Sequence, residues 1–101
     1  MPAYLVNHVT ITDQEKFAEY MAATQAVGRK FGAKPVAIGN QPWMLNGESD
    51  GHQMVVVAEF ENMETLEAWH NSDEYQAIIP LREAGSDQRQ VAYETMAMPS
   101  P

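Results

Sequence analysis

Val55-Val56-Val57-Ala58-Glu59-Phe60 runs through Glu61-Asn62 into Leu66 and then Ala68-Trp69-His70-Asn71-Ser72-Asp73-Glu74-Tyr75-Gln76, and this stretch decides the fold. Consecutive β-branched apolar residues mark a strand covered on both faces, since a strand with one wet face alternates apolar and polar. Asn62 stands where a side-chain oxygen caps the first turn of a helix carrying Leu66 and Trp69, and Ser72 with Asp73 and Glu74 is a second start signal. Beyond it Tyr75, Ile78, Ile79 and Arg82 share one helical face. Pro80 lacks an amide hydrogen and is expected to kink or shorten that helix, and Gly85 to end it. Gln90 to Met96 is the strand expected to follow, with a frayed tail over residues 97–101.

On the N-terminal side, Tyr4 to Ile11 alternates with β-branched enrichment and reads as the first strand. Thr12 with Glu15 has the spacing of a capping box, so a helix is expected to start at Thr12. Phe17, Tyr20, Met21, Thr24, Val27, Gly28 and Phe31 recur every three or four residues and form a core-facing stripe, closed by a left-handed cap at Gly32. Pro35 to Gly39 reads as a short edge strand. Trp43-Met44-Leu45 either extends it or forms a hairpin arm turned at Asn46-Gly47, and Glu48 to Gln53 is a surface loop.

The order is β-α-β-β-α-β, a ferredoxin-like α+β domain over residues 1–96 with two helices on one face of a four-stranded antiparallel sheet. Val55 to Ala58, Leu5-Val6 and Val91-Ala92-Tyr93 are apolar on both faces, yet two helices cover only one. The economical cover for the other is the sheet of a second copy, which makes a homodimer the expected partner. With 101 residues the chain buries a modest core, which association would enlarge.

Fourteen acidic residues against six Lys and Arg give a net charge of −8, and of the basic residues just Arg29 and Lys30 are adjacent. Such a surface repels phosphate backbones and anionic headgroups, so no nucleic acid and no membrane partner is expected. No apolar run approaches a membrane span and no secretory signal opens the chain, which makes the cytoplasm the expected compartment. Cysteine is absent, removing disulfides and thiolate chemistry.

Phe31-Gly32, Gly47-Glu48, Val55 to Phe60, Ala68-Trp69, Ser72, Glu74-Tyr75-Gln76 and Arg82 together resemble the family known as domain of unknown function 1330, in the dimeric α/β-barrel superfamily. Ala33, His70 and Asp73 stand where that family typically has a glycine, an aromatic residue and a proline. The resemblance implies a dimeric α/β barrel and no particular reaction. Its superfamily includes cofactor-free monooxygenases, isomerases, haem-degrading enzymes and stress-response proteins.

Chemistry must therefore come from polar residues set among apolar ones. His70, next to Trp69, is the candidate acid or base if it points between helix and sheet; otherwise it is a partly exposed helical histidine. Asn7, flanked by Leu5 and Val9, places an amide on a covered face, either to orient a ligand carbonyl or as a satisfied core group. Tyr20, Trp69 and Tyr75 form an aromatic wall for a planar ligand or simply core, and Arg82 either holds a substrate carboxylate or pairs with a neighbouring acid. His8 and Tyr4 fall on the face opposite Leu5, where a His8–Glu59 contact is expected to be structural. No metal is expected, because His8, His52 and His70 lack a second ligand at helical or hairpin spacing, and no glycine-flanked serine offers a nucleophile. These features describe a small-molecule-binding protein without a cofactor, whose chemistry as an enzyme would be proton transfer or oxygenation of an aromatic or carbonyl compound, with a non-catalytic assembly or regulatory module as the alternative.

Overall fold

The structure, a computed structural model, describes residues 1–98. Of the expected frayed tail, residues 99–101 lie outside the described residues. The elements are β1 (Ala3–Ile11), α1 (Gln14–Lys30), β2 (Lys34–Asn40), β3 (Met54–Phe60), α2 (Met63–Asn71), α3 (Asp73–Gly85) and β4 (Ser86–Glu94). The strands form one antiparallel sheet in the order β2-β3-β1-β4, the ferredoxin-like arrangement, with β2 at an edge as its proline foretold.

Register settles which residues face the helices. Leu5 lies opposite Ala58 and Ala92, and Asn7 opposite Val56 and Gln90, so the odd-numbered residues of β1 point inward with Met54, Val56, Ala58 and Phe60 of β3. Ala3, Leu5, Val9, Phe17, Tyr20, Phe60, Leu66, Trp69 and Tyr75 are buried together there. The opposite face carries Tyr4, Val6, Val55, Val57, Val91 and Tyr93, and Tyr93 remains 55% exposed.

Four local expectations are corrected. Asp13, not Thr12, caps α1: its side chain accepts from the Lys16 amide at 3.1 Å, while the Thr12 amide is drawn to the Gly85 carbonyl at 3.0 Å. This anchor fixes where the chain turns, so the helix begins after Asp13. β4 starts at Ser86, immediately after α3, because β1 offers a ladder along its whole length, from Ile11↔Ser86 to Ala3↔Glu94. Trp43, Met44 and Leu45 belong neither to an extended β2 nor to a hairpin arm; they lie in an irregular loop at 41–53, Trp43 being 84% exposed. α3 is not shortened by Pro80, whose exposed position lets the helix continue to Gly85.

Gly85 has a reason other than turn-making. A Cβ there would stand 2.5 Å from the Phe17 amide nitrogen and 2.8 Å from the Lys16 carbonyl carbon. The two helices cross backbone to backbone at this point, and Lys30 pairs with Glu74 further along the same crossing.

Candidate functional site

Between α1 and the sheet lies a cavity of about 320 Å³. Its floor is Leu5, Asn7 and Val9 of β1 with Val56 and Ala58 of β3, its roof Phe17, Tyr20, Met21 and Thr24 of α1, and its inner end Phe60 and Trp69. Gln25, Arg29, Pro35 and Ile38, all exposed, surround the mouth beside the edge strand.

Trp69 is held between two rings, with centroids 5.4 Å from Phe60 and 4.2 Å from Tyr75, and is 3% exposed. Its indole Nε1 finds no hydrogen-bond partner among the described residues, and neither does Asn7 Oδ1; both atoms are buried. One is a donor and the other an acceptor, and both side chains belong to this cavity's wall. Groups of this kind are nearly always paired in folded proteins.

Behind the Tyr20 wall runs a polar chain. The Tyr20 and Tyr75 hydroxyls are 2.8 Å apart and buried. Arg82 Nη1 donates to Tyr75 Oη at 3.1 Å and to Gln90 Oε1 at 3.0 Å, and Gln90 Nε2 donates to Tyr75 Oη at 3.2 Å. Burial first, then the neighbouring Tyr75, holds the Tyr20 phenol above its ordinary value, so it stays protonated at physiological pH. For Arg82, burial opposes the charge, but the Glu83 carboxylate and the Tyr75 hydroxyl outweigh it and leave the guanidinium above its ordinary value.

Of the residues singled out in the sequence, Asn7, Tyr20 and Trp69 meet at the cavity. Tyr75 backs Trp69 from the core, and Arg82, which is not among the lining residues, bonds to Tyr75, Gln90 and Glu83. His70 is not among the lining residues. It lies half-buried with its ring 5.5 Å from that of Tyr75 and Nδ1 3.4 Å from Asn71 Oδ1. One residue along a helix is a rotation of about 100°, so a core-facing Trp69 turns His70 aside. Thr24, Gln88 and Gln90 were missed; the signal was there in Ser86, Gln88 and Gln90, polar residues at the two-residue period of a strand's inner face.

On the other sheet face, the expected His8–Glu59 contact is replaced by two others. Tyr4, not His8, lies opposite Glu59; its hydroxyl donates to Glu59 Oε1 at 2.7 Å, and this hydrogen bond raises the Tyr4 phenol above its ordinary value. His8 Nδ1 meets Asp50 Oδ2 at 2.9 Å, and His52 Nδ1 meets Thr10 Oγ1 at 2.9 Å, pinning the loop at 41–53 to β1. The His52 amide, ahead of the charges of His8, His52 and Arg89, holds Asp50 below the usual carboxylate range. Among the described residues no group of three or more His, Asp or Glu converges as metal ligands, and no helix is long and apolar enough to cross a membrane.

A ferredoxin-like sheet with one apolar face under helices and another left bare, as here, defines a class of small α+β domains that includes dimeric proteins. The chain belongs to the family described as Domain of unknown function (DUF1330), whose model matches residues 2–96. It is similar in structure to a protein of unknown function from Rhodopseudomonas palustris, with TM-score 0.77, 22% identity and coverage of 96% of this chain and 84% of that one. SnoaB from Streptomyces nogalater, a cofactor-independent oxygenase, is similar at TM-score 0.67 and 13% identity, with 96% and 95% of the two chains covered. A protein of unknown function from Thermobifida fusca, described as dimeric and ferredoxin-like, is similar at TM-score 0.63 and 14% identity, with 94% and 92% covered. No curated protein matches the chain in sequence.

Proposed function

We propose that the protein is a homodimer that binds a small, planar, largely apolar molecule in the cavity of each subunit. The observation that carries this reading is that Asn7 and Trp69, whose Oδ1 and Nε1 are buried without a partner among the described residues, both line one cavity. Each such atom costs folding about 1–3 kcal/mol. A ligand bearing a hydroxyl or carbonyl group offsets that cost by pairing with them, which gives their retention a purpose. The volume of about 320 Å³ lies at the small end for ligand sites, suited to one or two fused rings. The apolar outer sheet face and the likeness to proteins described as dimeric support the second copy as its cover.

In a Trp43→Phe background the remaining Trp69 reports on the cavity alone. Titrating naphthols and naphthoquinones should change its emission saturably, and Asn7→Leu should weaken that response at least tenfold. A folded protein whose Trp69 emission ignores the whole panel overturns the reading.

A second reading concerns what becomes of the bound molecule. No carboxylate or imidazole stands among the described residues of the cavity wall, so proton transfer by a side chain titrating near neutrality has no obvious agent there. The likeness to SnoaB supports cofactor-independent oxygenation, in which the bound molecule itself supplies the electrons. Oxygen uptake on adding a binding naphthol distinguishes this from a module that holds its ligand unchanged.

A further inference from the structure

The polar chain behind Tyr20 has a direction, which follows from counting donors. Arg82 has hydrogens and no acceptor, so the Gln90 atom 3.0 Å from it must be the amide oxygen. Gln90 Nε2 is thereby fixed as the atom facing Tyr75, 3.2 Å from its hydroxyl oxygen. Tyr75 Oη then accepts from two N–H groups, Arg82 Nη1 and Gln90 Nε2, which uses both lone pairs of the phenol. Its own hydrogen has one partner left among these groups, the Tyr20 oxygen at 2.8 Å. Tyr20 therefore accepts from Tyr75 and must send its own hydrogen elsewhere. Its hydrogen-bonding neighbour on the other side is Thr24, one turn along α1, and both residues line the cavity, so a ligand oxygen competes with the Thr24 hydroxyl for the Tyr20 hydrogen.

We propose that Tyr20 is the donor that recognises the ligand's oxygen, and that the cavity selects molecules with an ionisable enol or phenol and holds them as the enolate or phenolate. This rests on the cavity being the binding site proposed above. Each bond in the chain points the same way, from the Arg82 guanidinium through Tyr75 to Tyr20, so the fixed positive charge polarises the last O–H toward whatever oxygen it meets. Hydrogen bonds in such a series strengthen one another in a low-dielectric interior. A donor backed by a cation favours an oxygen bearing negative charge over a neutral one. The Tyr20 phenol, held above its ordinary value, does not surrender its proton and remains a donor. Trp69, whose Nε1–H has no partner among the described residues, lines the same cavity, and Arg29 places a positive charge at its mouth in a chain whose net charge is −8. Tyr75, Gln90 and Arg82 are positioning residues: they touch Tyr20 or one another and set its hydrogen's direction.

The test uses para-nitrophenol, whose phenolate is coloured, and para-nitroanisole, its methyl ether of similar shape that cannot ionise. In the wild-type protein the bound phenol should titrate about one unit below its value in free solution, a tenfold preference for the phenolate. Tyr20→Phe should return that titration to the free value and weaken binding of the phenol more than that of the anisole. Both probes binding with the phenol's titration unshifted, or shifted equally in Tyr20→Phe, overturns the relay and leaves the binding cavity standing. Neither probe binding saturably to the wild type overturns the cavity reading and this proposal with it. Should circular dichroism show Tyr20→Phe unfolded, Arg82→Gln carries the test, since it retains an N–H donor without the charge. The bound phenol must then titrate closer to its free value, and an unchanged titration overturns the proposal.

Discussion

Replacing Asn7 by Leu should make the protein more stable and less able to bind. The two side chains share the same branched arrangement of four heavy atoms, leucine being the bulkier, and the site lies on the inner face of β1 between Leu5 and Val9, opposite Val56. The wild-type Oδ1 is buried without a partner among the described residues. Removing an unsatisfied acceptor regains about 1–3 kcal/mol. Leucine adds roughly 0.8 kcal/mol for each further methylene-sized group withdrawn from water. Imperfect fit of the branched end costs up to about 1.5 kcal/mol. The net expectation is a gain of about 1–2 kcal/mol, which for a domain of this size raises the melting temperature by about 4–8 °C per kcal/mol. Urea unfolding at matched protein concentration reads it, matching being essential because dimerisation links stability to concentration. The same variant should lose at least tenfold in affinity for the naphthols. A variant less stable than the wild type by 1 kcal/mol or more would refute the reasoning, because it would mean that folding already uses the Asn7 amide.

Gly85→Ala places a methyl group against the backbone of Phe17 and Lys16, where no rotamer can move aside, and pushes α3 off α1. Overpacking costs about 1–3 kcal/mol and strain on the Thr12 and Asp13 bonds to the Gly85 carbonyl about 1 kcal/mol more, against a helix-propensity gain of about 1 kcal/mol, so urea unfolding should show a net loss of roughly 1–3 kcal/mol. Val6→Asp puts a carboxylate at the centre of the outer sheet face, opposite Val57 and Val91. Light scattering should find the wild type at twice the chain mass and the variant monomeric or unfolded; an intact dimer argues against that face as the interface. Because Asp50 is held below the usual carboxylate range, the stability it gives the loop at 41–53 is complete above its unfolded value of about 3.9 and lost as the pH falls through the lower folded value. Amide protection factors in that loop should therefore fall below about pH 4, and a flat profile there would contradict the clamp.

What was legible in the sequence is what local chemistry dictates. β3 occupies Met54–Phe60 as its apolar run implied, and Asn62 and Ser72 cap α2 and α3 by accepting from Thr65 and Tyr75 amides at 2.8 Å and 3.1 Å. Those signals need no knowledge of distant residues. The cap of α1 did, since Thr12 and Asp13 are equally plausible until the Gly85 carbonyl, remote in sequence, takes both their amides and sets the turn in which the Asp13 side chain reaches the Lys16 amide. The His8 pairing depended on register, which sets Tyr4 rather than His8 against Glu59. His70 takes up the second of its two readings, a partly exposed helical histidine, for a simpler reason: with Leu66 and Trp69 both buried, the inward stripe of a short helix is already taken, and the following residue turns away.

The candidate site divides along the same line. Asn7, Tyr20 and Trp69 could be chosen because a polar or aromatic group in an apolar pattern stands out against its immediate neighbours. Gln90 could not, because in a stretch reading Ser86-Asp87-Gln88-Arg89-Gln90 a polar residue is unremarkable, and this polarity also hid the start of β4. The inner face of that strand is polar because it meets Arg82 and Tyr75, so the strand lost its apolar signature to the network that orients Tyr20. A strand whose inward positions are Ser, Gln and Gln beneath a helix bearing Arg and Tyr gives up core burial along one edge of the sheet. Folding alone would favour valine at those positions, where each inward amide must find partners before its burial costs nothing. Gln90 is satisfied by Arg82 and Tyr75, whereas Asn7 Oδ1 and Trp69 Nε1 find no partner among the described residues, and neither outcome can be read from the neighbours of these residues in sequence.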